Sequence, residues 1–170
     1  MKTAALLSRA PLFLIMAVMV ITAARCTNEA YAQGTGITEE TVKRIITDQE
    51  YVFRAMRAMP LRGRTIQLTS AYDVTVSKDS VSSWLPYFGR AYAPPVDPSR
   101  GGIQFVSTDF EYQVTDTKDG WDIAIRPRDA QDVQEMLLSV FDNGNATLRA
   151  TSTNRQPISF SGYVTERGKK

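Results

Sequence analysis

The chain has 170 residues, 20 basic and 18 acidic side chains, one cysteine (Cys26) and no histidine. The missing histidine excludes Ser-His-Asp and Cys-His catalysis and removes the commonest transition-metal ligand. One cysteine forbids an intramolecular disulfide, so the fold must rest on a hydrophobic core.

The first residues have the layout of a targeting segment. Lys2 and Arg9 precede an uncharged, largely apolar run from Pro11 to Ala24, which is short for a bilayer span of about 20 residues and suits the core of a signal peptide. Ala30-Tyr31-Ala32 has the small-x-small form that signal peptidase accepts, so residues 1–32 are expected to leave and Gln33 to become the N-terminus. Lipidation of Cys26 is the minor alternative, because Arg25 stands where a lipoprotein peptidase requires a small residue. Either route exports the protein to the periplasm or outer cell envelope. Lys2, Arg9, Arg25 and Glu29 leave with the leader, so 17 of the 20 basic and 17 of the 18 acidic side chains remain. That balance gives no global field for nucleic acid or an anionic membrane. Residues 33–170 suffice for one domain, which is expected not to span a membrane.

Along that domain, Thr38 is a candidate N-cap, followed by Glu39 and Glu40 in a first turn and by Val42, Ile45 and Ile46 at helical spacing. These predict a short helix over 38–48. "YVFRAMRAMP" fits a helix or a strand; its aromatic and β-branched residues and Pro60 favour the strand. From Thr65 the period is two: "TIQLT", "YDVTV", "SVSSWL", "GIQFVST", "FEYQVTDT", "WDIAIRP", "QEMLLSVFD", "ATLRATS" and "PISFSGYVTE". Asp119-Gly120 and Asn143-Gly144 are strong hairpin turns. About nine short strands with tight turns argue for an all-β antiparallel meander, either closed as a barrel or folded as a sandwich.

The stretch "SWLPYFGRAYAPP", Ser83–Pro95, collects Trp84, Tyr87, Phe88 and Tyr92 around Gly89 and Arg90. Pro86 ends or edges a strand, and Gly89 allows a close backbone approach. These aromatic residues therefore sit at a corner of the chain. In one reading they plug an end of the barrel, with Arg90 capping carbonyls or pairing with an acid. In the other, Tyr87, Phe88, Arg90 and Tyr92, supported by Trp84, line the mouth of a ligand pocket, with Arg90 fixing an anionic end.

Other polar groups have plain structural readings. Asp109 and Glu111 share a strand face and are the material for carboxylate-only hydrolysis, yet they suit a solvated strand end. Asp116, Asp119 and Asp122 surround a turn without the spacing of a calcium loop. Arg54, Arg57, Arg62 and Arg64 are either solvated turn residues or an anion site. Asp79-Ser80-Val81 fits a short O-glycosylation pattern. No Walker loop, GxGxxG or GxSxG is present, and neither a cofactor nor a metal is expected.

"LPYFGRAY" (Leu85–Tyr92), "GGIQF" (Gly101–Phe105) and "NRQPISFSG" (Asn154–Gly162), with "YVFRAMRAMP…TIQLTSAYDVTVSKDSV", resemble the bacterial family called domain of unknown function 4251. The resemblance implies an exported envelope protein with a lipocalin-like antiparallel barrel of about 8–10 strands. It implies no activity and no functional residues. The expected function is a non-enzymatic module binding a small apolar or amphipathic ligand. The alternatives are a packed-barrel scaffold that meets an envelope protein and, last, an acid-only hydrolase.

Overall fold

The computed structural model describes residues 37–92, 101–130 and 132–168. The expected signal peptide, its cleavage point at Ala32 and Gln33, and Cys26 lie outside the described residues.

A short helix comes first, α1, Glu39–Asp48. The Thr38 hydroxyl accepts from the Thr41 amide, Glu39 and Glu40 occupy the positive first turn, and Gln49 ends the helix in a left-handed conformation at φ 55°. The helix buries one stripe, Val42, Ile45 and Ile46. Nine strands follow: β1 Tyr51–Pro60, β2 Ile66–Val76, β3 Val81–Leu85, β4 Ile103–Ser107, β5 Phe110–Thr117, β6 Gly120–Pro127, β7 Val133–Phe141, β8 Asn145–Ser152 and β9 Ile158–Glu166. "YVFRAMRAMP" is a strand, as its composition indicates. "TIQLT" and "YDVTV" belong to one strand, β2. They remain separate pairing segments, because the β1–β2 register jumps from Arg57↔Gln67 to Ala55↔Tyr72.

Each strand pairs antiparallel with its neighbour in sequence, except β4 with β5, and β1 also pairs β9. The order β4-β3-β2-β1-β9-β8-β7-β6-β5 is thus an up-and-down barrel, nearly closed and interrupted at one place. Its cause is parity. A ring of antiparallel neighbours needs an even number of strands, and with nine, β4 and β5 run in the same direction. Only Thr108 and Asp109 separate them, whereas a parallel crossover takes a dozen or more residues. The chain therefore kinks and runs on, pairing β3 with its first half and β6 with its second.

Asp129 holds that kink. Its carboxylate accepts from the Thr108 amide at 3.0 Å and the Asp109 amide at 3.4 Å, and Arg128 N–H donates to the Asp109 carbonyl at 2.8 Å. The Ser107 hydroxyl can turn between the Asp109 carbonyl, 3.1 Å away, and the Asp129 carboxylate. Hydrogen bonds from Ser107 and Thr108 hold that carboxyl below the usual aspartate range.

Inward-facing residues alternate along β3 and β6–β9 and, with side chains of β1 and β2, fill the interior. Phe53, Phe160, Leu85, Ile123, Ile125, Met136, Leu138, Leu148 and Ile158 are all under 2% exposed and belong to one core cluster. Each contributes about 1.5–3 kcal/mol by leaving water. A ligand-sized cavity among them would leave its walls open to water, and these walls are not.

Candidate functional site

Two arrangements of polar and aromatic groups stand out, at opposite ends of the barrel. Hairpin turns in a meander alternate between the ends. The β6–β7 and β8–β9 connections share one end, while α1 leads into β1 beside the β5–β6 turn at the other.

The first arrangement centres on Arg155, in the β8–β9 turn and only 7% exposed. Its guanidinium donates to the carbonyls of Gly101 at 3.2 Å and Gly102 at 2.9 Å, and to Asp132 at 3.3 Å. It also lies over the Tyr87 ring, 5.3 Å from the centroid. The Tyr87 hydroxyl faces two carbonyls, Arg90 at 2.9 Å and Gln156 at 3.0 Å, and burial raises its pKa. The Gln156 amide donates to the Arg90 carbonyl and the Tyr92 amide to the Asn154 carbonyl, so "GRAY" runs beside the β8–β9 turn as a short antiparallel bridge. Gly89 permits this path, since a Cβ there would stand 2.4 Å from the Tyr87 hydroxyl. These contacts close the end of the barrel with fixed hydrogen bonds.

The residues singled out in Ser83–Pro95 therefore divide. Tyr87 belongs to this cap. Arg90 contributes its carbonyl, while its side chain is exposed; the carbonyl-capping arginine is Arg155, which sequence inspection passed over. Phe88 and Tyr92 are exposed. Trp84, 55% exposed, points outward on β3 between Asp73 and Gln104 of the flanking strands. Val106, 69% exposed, lies diagonal to it on β4.

The second arrangement is a groove of about 420 Å³ between α1 and the β5–β6 hairpin. Lys43, Ile46, Thr47 and Gln49 form the helix wall; Tyr112, Val114 and Asp116, alternate residues of β5, form the other, with Trp121 on β6. Here the inner face of β5 is covered by a helix instead of by opposing strands, and the two do not meet completely. The Tyr112 hydroxyl lies 3.4 Å from the Ile46 carbonyl and 3.3 Å from the Tyr51 hydroxyl, which pins the upper part of the hairpin to the helix. Burial pushes the Tyr112 phenol up to about 12 and raises Tyr51 well above its ordinary value. Below Tyr112, Val114 and Asp116 are exposed. A mixed rim around aromatic and aliphatic walls, at this volume, is the form of a small-molecule site. The groove's signal in the sequence is the alternation Tyr112, Val114, Asp116 beside Trp121, which by itself looks like any strand face.

The remaining polar groups are engaged locally. Arg54 pairs with Asp73 at 3.6 Å and Arg57 donates to Ser161 at 3.1 Å, both on the outer surface; Arg62 and Arg64 are exposed in the β1–β2 turn. Asp109 pairs with Arg128 at 3.7 Å, and Glu111 with Arg126 at 3.7 Å. Asp122 accepts from Ser139 at 2.6 Å. Ser80 sits half-buried in the β2–β3 turn, its hydroxyl 2.9 Å from that of Ser77. Among the described residues, no three Asp, Glu, His or Cys side chains converge as metal ligands, and no helix is long and apolar enough to cross a membrane.

Comparison with solved structures finds a likeness to the crystal structure of a DUF4251 family protein from Bacteroides eggerthii DSM 20697, determined at 1.95 Å. The two are 16% identical, with a TM-score of 0.53, over 75% of this chain and 87% of that one; at that identity the likeness concerns the fold. Comparison with curated proteins finds no match. The family model described as Domain of unknown function (DUF4251) matches residues 35–164, a span that takes in α1, the Arg155 cap and the groove. The chain belongs to the DUF4251 family.

Proposed function

We propose that this protein is a non-enzymatic binding module, exported to the cell envelope, that holds a small amphipathic molecule in the groove between α1 and the β5–β6 hairpin. Export rests on the charged start, apolar run and Ala30-Tyr31-Ala32 of the leader. The observation that carries the binding role is the contrast between a filled interior and an open groove: Phe53, Phe160, Ile123 and Ile125 have no exposed surface, while about 420 Å³ stands open beside Trp121. The ligand site is thus moved from the barrel mouth expected at Tyr87, Phe88, Arg90 and Tyr92 to the opposite end.

Native mass spectrometry of the protein purified gently from its envelope tests this, with Val114→Trp as the control. Val114 is 42% exposed, so the larger ring fills the groove without entering the core. A removable small molecule on the wild type, absent from the variant, supports the reading. A bare wild-type chain, or a molecule retained equally by both, sinks it.

A second reading, a packed-barrel scaffold, draws on the outer face of β3–β4, where Trp84 and Val106 stand exposed as diagonal neighbours. Exposed apolar side chains next to each other mark interaction surfaces. An envelope protein that co-purifies with the wild type and is lost from Trp84→Ser would favour it.

A further inference from the structure

Resting on the groove as the binding site, we infer that its occupant is a zwitterion: a molecule with a carboxylate and an ammonium beside a large apolar or aromatic body, as in an apolar α-amino acid. The two walls carry opposite charges. Lys43 stands on the helix and Asp116 on the strand, and neither forms an ion pair or side-chain hydrogen bond among the described residues.

The indole of Trp121 adds a donor. The residue is 8% exposed and, among the described residues, its N–H has no hydrogen-bond partner, yet no buried side-chain nitrogen or oxygen there is left unsatisfied. That N–H therefore still meets solvent, and a ligand in the groove can take it. Val114, Ile46 and the Tyr112 ring supply the surface for an apolar body.

Charge decides the class. An anion alone gains from Lys43 and is repelled by Asp116; a cation alone meets the reverse. A neutral apolar molecule gains from neither. A zwitterion lying across the groove satisfies both walls at once.

The protein carries only two tryptophans, and one of them, Trp84, is on the outer face of β3. In a Trp84→Phe background, the fluorescence of Trp121 reports the groove directly. Four probes are titrated: L-phenylalanine, L-phenylalanine amide, 3-phenylpropionate and 2-phenylethanol, which carry both charges, the cation, the anion and neither. Phenylalanine is expected to bind roughly two- to fivefold more tightly than each singly charged probe, the advantage an exposed ion pair confers. Lys43→Met should erase its lead over the amide, and Asp116→Asn its lead over phenylpropionate. Both positions are exposed, so both variants should fold, and circular dichroism checks this. Phenylalanine binding no better than phenylethanol, or less tightly than phenylpropionate, overturns the zwitterion and leaves the groove standing as a site. If no probe perturbs Trp121 at millimolar concentration, the groove fails as a site and the inference falls with it.

Discussion

The guanidinium carbon of Arg155 stands over the Tyr87 ring, 5.3 Å from its centre, and from there the group reaches the carbonyls of Gly101 and Gly102. The three stretches that carry the family resemblance, Leu85–Tyr92, Gly101–Phe105 and Asn154–Gly162, therefore meet at one side chain. The barrel is held shut at this end by a buried cation with two carbonyls, one carboxylate and one aromatic face. Such a cluster is costly to disturb, because each group has surrendered water for the others.

Replacing Arg155 by alanine leaves two carbonyls and Asp132 without their donor. The expected loss is about 2–4 kcal/mol of folding stability. Arg155→Lys should recover less than half of it, because an ammonium cannot present the planar fork that reaches three acceptors. Urea midpoints, with unchanged slopes, measure both. A loss under about 0.5 kcal/mol for the alanine variant would falsify the structural role of Arg155.

Gly162 lies where β9 crosses the irregularity in β1: the register passes from Ala55↔Gly162 to Arg57↔Ser161, leaving Met56 bulged. A Cβ at 162 would stand 1.8 Å from the Arg54 carbonyl oxygen and 2.9 Å from its carbon. Backbone cannot move aside as a side-chain tip does. Gly162→Ala should destabilise by about 2–3 kcal/mol, whereas Gly168→Ala, with nothing within 4 Å of the new carbon, should be neutral. Thermal melts of the two variants compare them directly; equal melting temperatures would mean that the strands part easily here.

Tyr51 and Tyr112 give stability a dependence on alkaline pH. Both phenols are neutral when buried, and burial raises both pKa values, that of Tyr112 to about 12. A group whose folded pKa lies above its unfolded value, about 10 for tyrosine, stabilises fully below that unfolded value. The contribution is lost as pH rises through the folded pKa. Stability should therefore be flat to about pH 9 and fall between about pH 10 and 12. Tyr112→Phe should flatten part of that slope while costing about 1–2 kcal/mol at pH 7, because the buried Tyr51 hydroxyl loses its partner. Absorbance at 295 nm should show Tyr51 and Tyr112 ionising after the exposed tyrosines. Ionisation of these two together with exposed Tyr92 would contradict the buried pair.

The strands were legible because their signals are local. Alternation in "WDIAIRP" and "YDVTV", the Asp-Gly and Asn-Gly turns, and the cap at Thr38 each depend on a few adjacent residues, and the structure has all of them in place. The aromatic corner at Ser83–Pro95 was legible as a corner, from Pro86 and Gly89, but the partner of each ring was not. Tyr87 meets a residue 68 positions away, and nothing within its own stretch distinguishes it from Phe88, which faces solvent.

By itself, the sequence determined the class of the fold, because hydrophobic period and turn chemistry are written in neighbouring residues. It also determined which chemistry is absent, since histidine cannot act where there is none. The tertiary structure decided where the barrel is filled and where it is open. An odd number of strands places the break at β4–β5, inner side chains of the other strands fill the centre, and the helix only partly covers β5. The groove of Lys43, Asp116 and Trp121 and the cap of Arg155 and Tyr87 are products of closure. Asp116 and Trp121 already pair within one hairpin, but Lys43 and Arg155 reach their partners from distant parts of the chain, and only the folding of the whole sheet brings them there.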